Sequence, residues 1–273
     1  MSHTVVLAPV PYAWFVDALA VVRSLVEESQ AKGRRLILPD GQVIPDVRLT
    51  RGRHLRPGAE YLISDEDERE AADNGGGRED AKGMSSGETA TIRLEEWDRR
   101  RAVRLALAIA ADDGKVDLHA VLQSPDHPRL VEVGGRSRFD GVPLGLSRLK
   151  GRVRLQLDDW WAAADTEGAA HSAPATARVD HRWARAEARA VPSPHRDGHT
   201  SGWDVRVTLS LRGRGLLRPL AAVALGVAGR WIRRSVARTL DDLAETWNAT
   251  VPGLVAMDRE GMRAALTDRP SCA

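Results

Sequence analysis

Hydrophobic and polar residues alternate most strictly between Asp204 and Leu211. Val205, Val207, Leu209 and Leu211 share one face there, and Asp204, Arg206, Thr208 and Ser210 share the other. A period of two predicts a half-buried strand with one wet face. Arg212-Gly213-Arg214-Gly215 ends the alternation, since glycine opens backbone conformations that a side chain forbids. Pro219 then suits a first helical turn, where a missing N–H costs little. No proline interrupts the chain from there to Trp247, and a helix of that length runs on the order of 40 Å. Leu225, Ile232, Val236, Leu240, Leu243 and Trp247 recur at helical spacing and predict its apolar stripe.

Upstream, His3–Ala8 predicts a short strand ended by Pro9 and Pro11. Phe15, Leu19, Val22 and Val26 predict a helix over Tyr12–Lys32, closed by Lys32 and Gly33. Short strands are expected at Arg34–Pro39, Val43–Arg51 and Ala59–Ile63, with turns at Pro39-Asp40-Gly41 and Leu55–Gly58. The clearest upstream pattern is an antiparallel meander of Thr89–Glu95, Ala102–Ile109 and Val116–Leu122. It turns at Trp97–Arg101 and at Asp112-Asp113-Gly114. Leu130–Val133 and Leu155–Leu157 are shorter strand candidates, and Asp158–His171 reads equally as helix or loop. Arg178–Ala190 alternates through Val179, His181, Trp183 and Arg185, and Pro192-Ser193-Pro194 then leads into the last strand.

Composition narrows the classes. The 273 residues carry a formal net charge of only +2, which does not point to a nucleic-acid partner. Lys32, Lys82, Lys115 and Lys150 are the only lysines, so the basic side is nearly all arginine. Cys272 is the sole cysteine; neither a disulfide within the chain nor a thiolate metal cluster is expected, which fits a reducing cytoplasm. No leader pattern opens the chain, and its most apolar run, Leu216–Gly229, is shorter than the roughly 20 residues of a bilayer span. A soluble protein is the expectation. Residues 64–87 hold eight carboxylates against two arginines and one lysine, with Gly75-Gly76-Gly77 and almost nothing apolar. Such a stretch buries too little to offset its ordering entropy, and a mobile acidic insertion is expected there.

Val205–Leu211, the linker Arg212–Leu220 and the helix ending Leu240-Asp241-Asp242-Leu243-Ala244 resemble the C-terminal end of the SRPBCC, or helix-grip, superfamily. That superfamily includes START-like lipid carriers and polyketide cyclase-like enzymes. The turn Trp97–Val103 is also similar to its internal hairpin. The resemblance implies an α+β fold in which a curved antiparallel sheet wraps around the long C-terminal helix, with an apolar cavity between them. Residues 1–250 would form that single domain, with the insertion at about 64–87, and 251–273 a C-terminal extension.

Within such a domain the expected role is binding of a small apolar molecule, lipid-like or polyketide-like. Ala221, Ala224 and Ala228 would leave room beside the sheet, while Leu225, Ile232, Trp183 and Trp203 would line it. A cyclase- or dehydratase-like enzyme would instead need a titratable group in the cavity. His119 and Asp117, on one strand face, and His181 on another are the first candidates, although a solvated face is their commoner use. A third reading is an interaction protein that uses the arginines of the terminal helix. Eight arginines and no acid lie between Arg206 and Arg238, and contact with an anionic membrane surface is the weaker version of that reading. Motifs for phosphate loops, dinucleotides and serine-nucleophile elbows are absent. His195 and His199 sit in a proline–glycine loop where a metal-binding helix would not persist. No cofactor or metal is expected.

Overall fold

The computed structural model describes residues 1–63, 89–111, 114–139, 148–166, 168, 172–195, 202–213 and 218–267. At 45, 111 and 218–233 only the backbone is described. The expected acidic insertion therefore lies outside the described residues, as do the side chains of Ala221, Ala224, Leu225, Ala228 and Ile232.

Strand β1 (Ser2–Leu7) leads into helix α1 (Tyr12–Glu28). Then come β2 (Gln30–Lys32), β3 (Arg35–Ile37), β4 (Val43–Arg51), β5 (Glu60–Ile63), β6 (Thr89–Trp97), β7 (Ala102–Ala111), β8 (Gly114–Gln123), β9 (Leu130–Phe139) and β10 (Arg148–Gln156). Helix α2 (Leu157–Asp165) precedes β11 (Ala175–Asp180), β12 (Ala184–Pro194) and β13 (Trp203–Gly213), and α3 (Arg218–Val255) and α4 (Arg259–Thr267) follow. The strands form one 13-stranded sheet, antiparallel at every described pairing, in the order β1-β13-β12-β11-β10-β9-β8-β7-β6-β5-β4-β3-β2. The fold is thus mixed α and β, a large antiparallel sheet with four helices among the described residues, two of them at the C-terminal end.

Cross-strand register keeps the two faces apart across the sheet. Val5 pairs with Val205, Val207 with Ala190, Ala188 with Ala177, Ala177 with Val153, and Val153 with Val133. Val133 pairs in turn with Ala120, and Ala120 with Leu105. This apolar inner face carries the helices. α3 packs on β1 and β13, α2 on β12, and α4 on α1, where Met262 is buried with Val21 and Leu25. Arg263 of α4 holds Glu28 at 2.5 Å, and Arg259 pairs with Asp17.

Several sequence expectations shift. α1 stops at Glu28, where the Ser29 hydroxyl donates to the Val26 carbonyl at 2.7 Å. Gly33, expected to close the helix, has φ +66° and turns the β2–β3 hairpin, whose last pair is Lys32 with Arg35. A glycine after a lysine fits both uses. The alternation over Arg178–Ala190 covers two strands: His181, Arg182 and Trp183 form the turn between β11 and β12. Pro192 and Pro194, expected to lie in a loop, extend β12. His195 N–H donates towards β13 at 2.9 Å, so by alternation the nitrogens of Pro192 and Pro194 face the other side. On that side β11 has already ended, at Ala175 opposite Ala190, and a missing donor costs no ladder bond.

The stripe of α3 also differs. Leu240, Ala244, Val251 and Val255 join the core, whereas Leu243 is 61% exposed. One turn beyond Ala244 the helix meets β1. The pair Met1–Leu209 is doubly hydrogen-bonded, so the odd residues of β1 face β13, and Val6 and Ala8 point outwards. The Asn248 amide satisfies both, accepting from Ala8 N–H at 2.7 Å and donating to Val6 C=O at 2.9 Å. Trp247 Nε1 adds a bond to the Ala8 carbonyl at 2.9 Å. Asn248→Ala should therefore lower stability by about 1–3 kcal/mol, two exposed hydrogen bonds' worth. Thr246→Ala, on the solvent side of the same turn, should leave Tm nearly unchanged in thermal melts followed by circular dichroism.

Candidate functional site

Two buried clusters flank the inner face of the sheet. One joins Val5, Trp203 and Val205 to Val10, Ala164 of α2 and Ala244 of α3. The other is built from Leu36, Leu49, Ala59, Tyr61 and Leu94. Among the described residues, no residue of β8–β11 belongs to either cluster. Their inner positions are nonetheless apolar, from Leu118, Ala120 and Leu122 of β8 to Val131 and Val133 of β9. Val153 of β10 is 49% exposed and Val179 of β11 is 41% exposed, although both point to the apolar side. Among the described residues the apolar strip between the two cores is thus half-buried on β8 and β9, touched by α2 at β9 and β10, and exposed at Val153 and Val179, where a self-contained sheet would place buried side chains.

One end of the strip is closed. α1 begins beside an aromatic cluster in which Trp161 lies 5.1 Å from Phe15 and 6.3 Å from Trp203. Trp161 Nε1 donates to the Val10 carbonyl at 2.7 Å, which settles its one polar atom. α1 then crosses the strand ends. Its Arg23 meets Asp126 of the β8–β9 turn at 2.5 Å, and its Glu27 accepts from Trp97 Nε1 at 3.2 Å, at the end of β6.

Of the sequence candidates, Trp203 is in this cluster, 6% exposed, and acts as packing at the closed end. His119 and Asp117 stand together on the outer, solvated face of β8, since their register partners are Gly134 and Arg136. His181 is in the β11–β12 turn, where its Nδ1 accepts from the Trp183 N–H at 3.3 Å, and Arg182 stacks on the Trp183 ring. His119 and His181 are separated by three strand positions, about 15 Å, and do not form one site. His195 pairs with Asp204 at 2.9 Å, and no cluster of three metal-ligating side chains occurs among the described residues.

Around His119 the outer face carries an open groove of about 520 Å³, lined by Asp117, His119, Glu132, Arg136, Lys150 and Arg152 at a floor of Gly134, Gly135 and Gly151. Glycine at 134 makes room for the His119 ring, which a Cβ would strike. At Gly135 a Cβ would come within 2.8 Å of the Asp117 carbonyl oxygen. A ring can rotate and a ladder carbonyl cannot. Gly135→Ala should therefore destabilise the protein clearly more than Gly134→Ala, measured as the shift in urea midpoint.

Sequence reading missed one polar cluster. His54 Nδ1 lies 3.0 Å from the Tyr61 hydroxyl, which also accepts the Leu55 N–H at 3.0 Å, and His54 Nε2 lies 3.1 Å from Ser29 Oγ. The Ser29 hydroxyl donates to Val26, so the consistent assignment has His54 Nε2–H donating to Ser29 and Tyr61 O–H donating to Nδ1. The imidazole lone pair faces Tyr61 and not the serine, the reverse of a base activating a nucleophile. The cluster ties the end of α1 to the 53–58 turn. Burial holds the His54 pKa below its ordinary value and raises that of Tyr61. As pH falls below about 6.5 the unfolded chain takes up the His54 proton first, so this contribution to stability is present above that pH and lost below it. His54→Gln should flatten the fall in Tm between about pH 7.5 and 5.5.

Compared with family models, characterised proteins and solved structures, the chain matches none of them.

Proposed function

We propose that this protein binds a small apolar molecule, lipid-like or polyketide-like, against the incompletely covered inner face of β8–β11, in the space between that face and the terminal helix. The observation that carries the reading is the pair Val153 and Val179, inward-facing yet 49% and 41% exposed, between two cores that stop short of them. Covering each 100 Å² of such surface is favourable by about 2.5 kcal/mol before the costs of association. The sheet order, with the first strand beside the last and the terminal helix on that pair, supports the helix-grip reading drawn from Trp203–Trp247. Binding is favoured over acid–base catalysis because the described inner positions of β8–β13 include no ionisable side chain.

A fluorescent fatty acid should bind saturably, with emission shifted to shorter wavelength. Val153→Asp places a carboxylate at a half-exposed position, so Tm should fall little while uptake drops at least tenfold. Uptake that survives Val153→Asp in a folded protein, or no uptake by the wild type, would remove the ligand from this face.

A further inference from the structure

The outer face of the same strands carries a different signal. Every Arg, Lys, Asp and Glu of β8–β13 stands on it: twelve basic side chains against five acidic ones. The face thus bears an excess of seven positive charges on a chain whose formal net charge is +2. Register sets like charges side by side, with Arg136 opposite Lys150, Arg152 opposite Arg178, and Arg185 opposite Arg212. Like charges directly across an antiparallel pair repel.

The local acids relieve only part of this. Glu132 binds Arg152 at 2.7 Å, Asp117 binds Lys115 at 3.1 Å, and Asp180 takes both Arg178 and Arg185 at 2.7 Å. Arg136 and Lys150, on opposite sides of the glycine-floored groove, have no ion-pair partner among the described residues. Both are exposed.

We infer that the outer face of β8–β13 is a docking surface for an anionic phospholipid bilayer, centred on Arg136 and Lys150. Charge complementarity selects the occupant. The cations form a two-dimensional array about 24 Å across the strands and about 20 Å along them, wide enough to meet several headgroups at once. Single-stranded nucleic acid is disfavoured because the described outer positions of these strands carry no Phe, Tyr or Trp, and the lone ring of His119 does not make a row of platforms for successive bases. The inference is independent of any ligand on the inner face.

The full chain should co-sediment with vesicles of phosphatidylcholine containing about 30 mol% phosphatidylglycerol, and not with pure phosphatidylcholine. Binding should be lost at about 0.5 M salt. Arg136→Glu with Lys150→Glu should weaken it about tenfold or more, and the milder Arg136→Ala with Lys150→Ala should weaken it measurably if the reversal fails to fold. Arg234→Glu with Arg238→Glu, on the exposed side of α3, should leave it within about twofold. Equal binding to both vesicle types, an unchanged affinity in the folded Arg136/Lys150 variants, or tighter binding to a single-stranded RNA than to the anionic vesicles would each overturn the inference.

Discussion

The constraint on which this structure depends is that its first strand pairs with its last. β1 lies beside β13 over Ser2 to Leu7, and β2 stands at the opposite edge of the sheet. The chain must travel from one edge to the other between Leu7 and Gln30. Thirteen strands laid flat would span about 58 Å. A helix the length of α1 plus its flanking residues reaches about 50 Å at most. The sheet therefore bends towards α1, and α1 is fixed across the strand ends, where Arg23 and Glu27 meet the turns. A closed end to the apolar strip follows from connectivity alone.

The same bend explains how stability is distributed. The helices are anchored at the flanks, over β1 and β13 on one side and by way of Ser29 and His54 over the β4–β5 region on the other. The middle strands contribute hydrogen-bonded ladders that α2 covers only in part, where it packs on β9 and β10. Their two faces are sorted by charge, so any one-residue slip in register would turn a row of arginines into the apolar strip. The sheet is held in register more by this sorting than by packing on its centre.

Much of this was legible. Strict alternation located β6, β7, β8 and β13, and Asp204–Leu211 revealed both faces of the last strand. β9 is legible in the sequence only to Val133, because Gly134 and Gly135 interrupt its apolar alternation. The parity continues through them, with Arg136 and Arg138 on one side and Ser137 and Phe139 on the other. Lys32-Gly33 misled for a physical reason, since the same left-handed glycine serves helix ends and hairpins. His54 was invisible because its partners, Ser29 and Tyr61, are brought together by the β4–β5 turn and the end of α1. The incompletely covered strip was not legible at all: a period of two reveals which side is apolar, not whether anything lies on it. The side chains expected to line it from Ala221 to Ile232 lie outside the described residues.

Asn248 has a consequence for the protein in company. An open sheet invites further strands at both margins, and a chain this rich in β-structure would be prone to stack into fibres. At β1 the outward groups of Val6 and Ala8 are occupied by a side-chain amide that copies a backbone's donor and acceptor but cannot pass the pattern on. At the other margin β2 is three residues long and ends in Lys32. Both margins thus carry a device from the chain's own residues that discourages a further strand, a side-chain amide at one and a short, lysine-ended strand at the other.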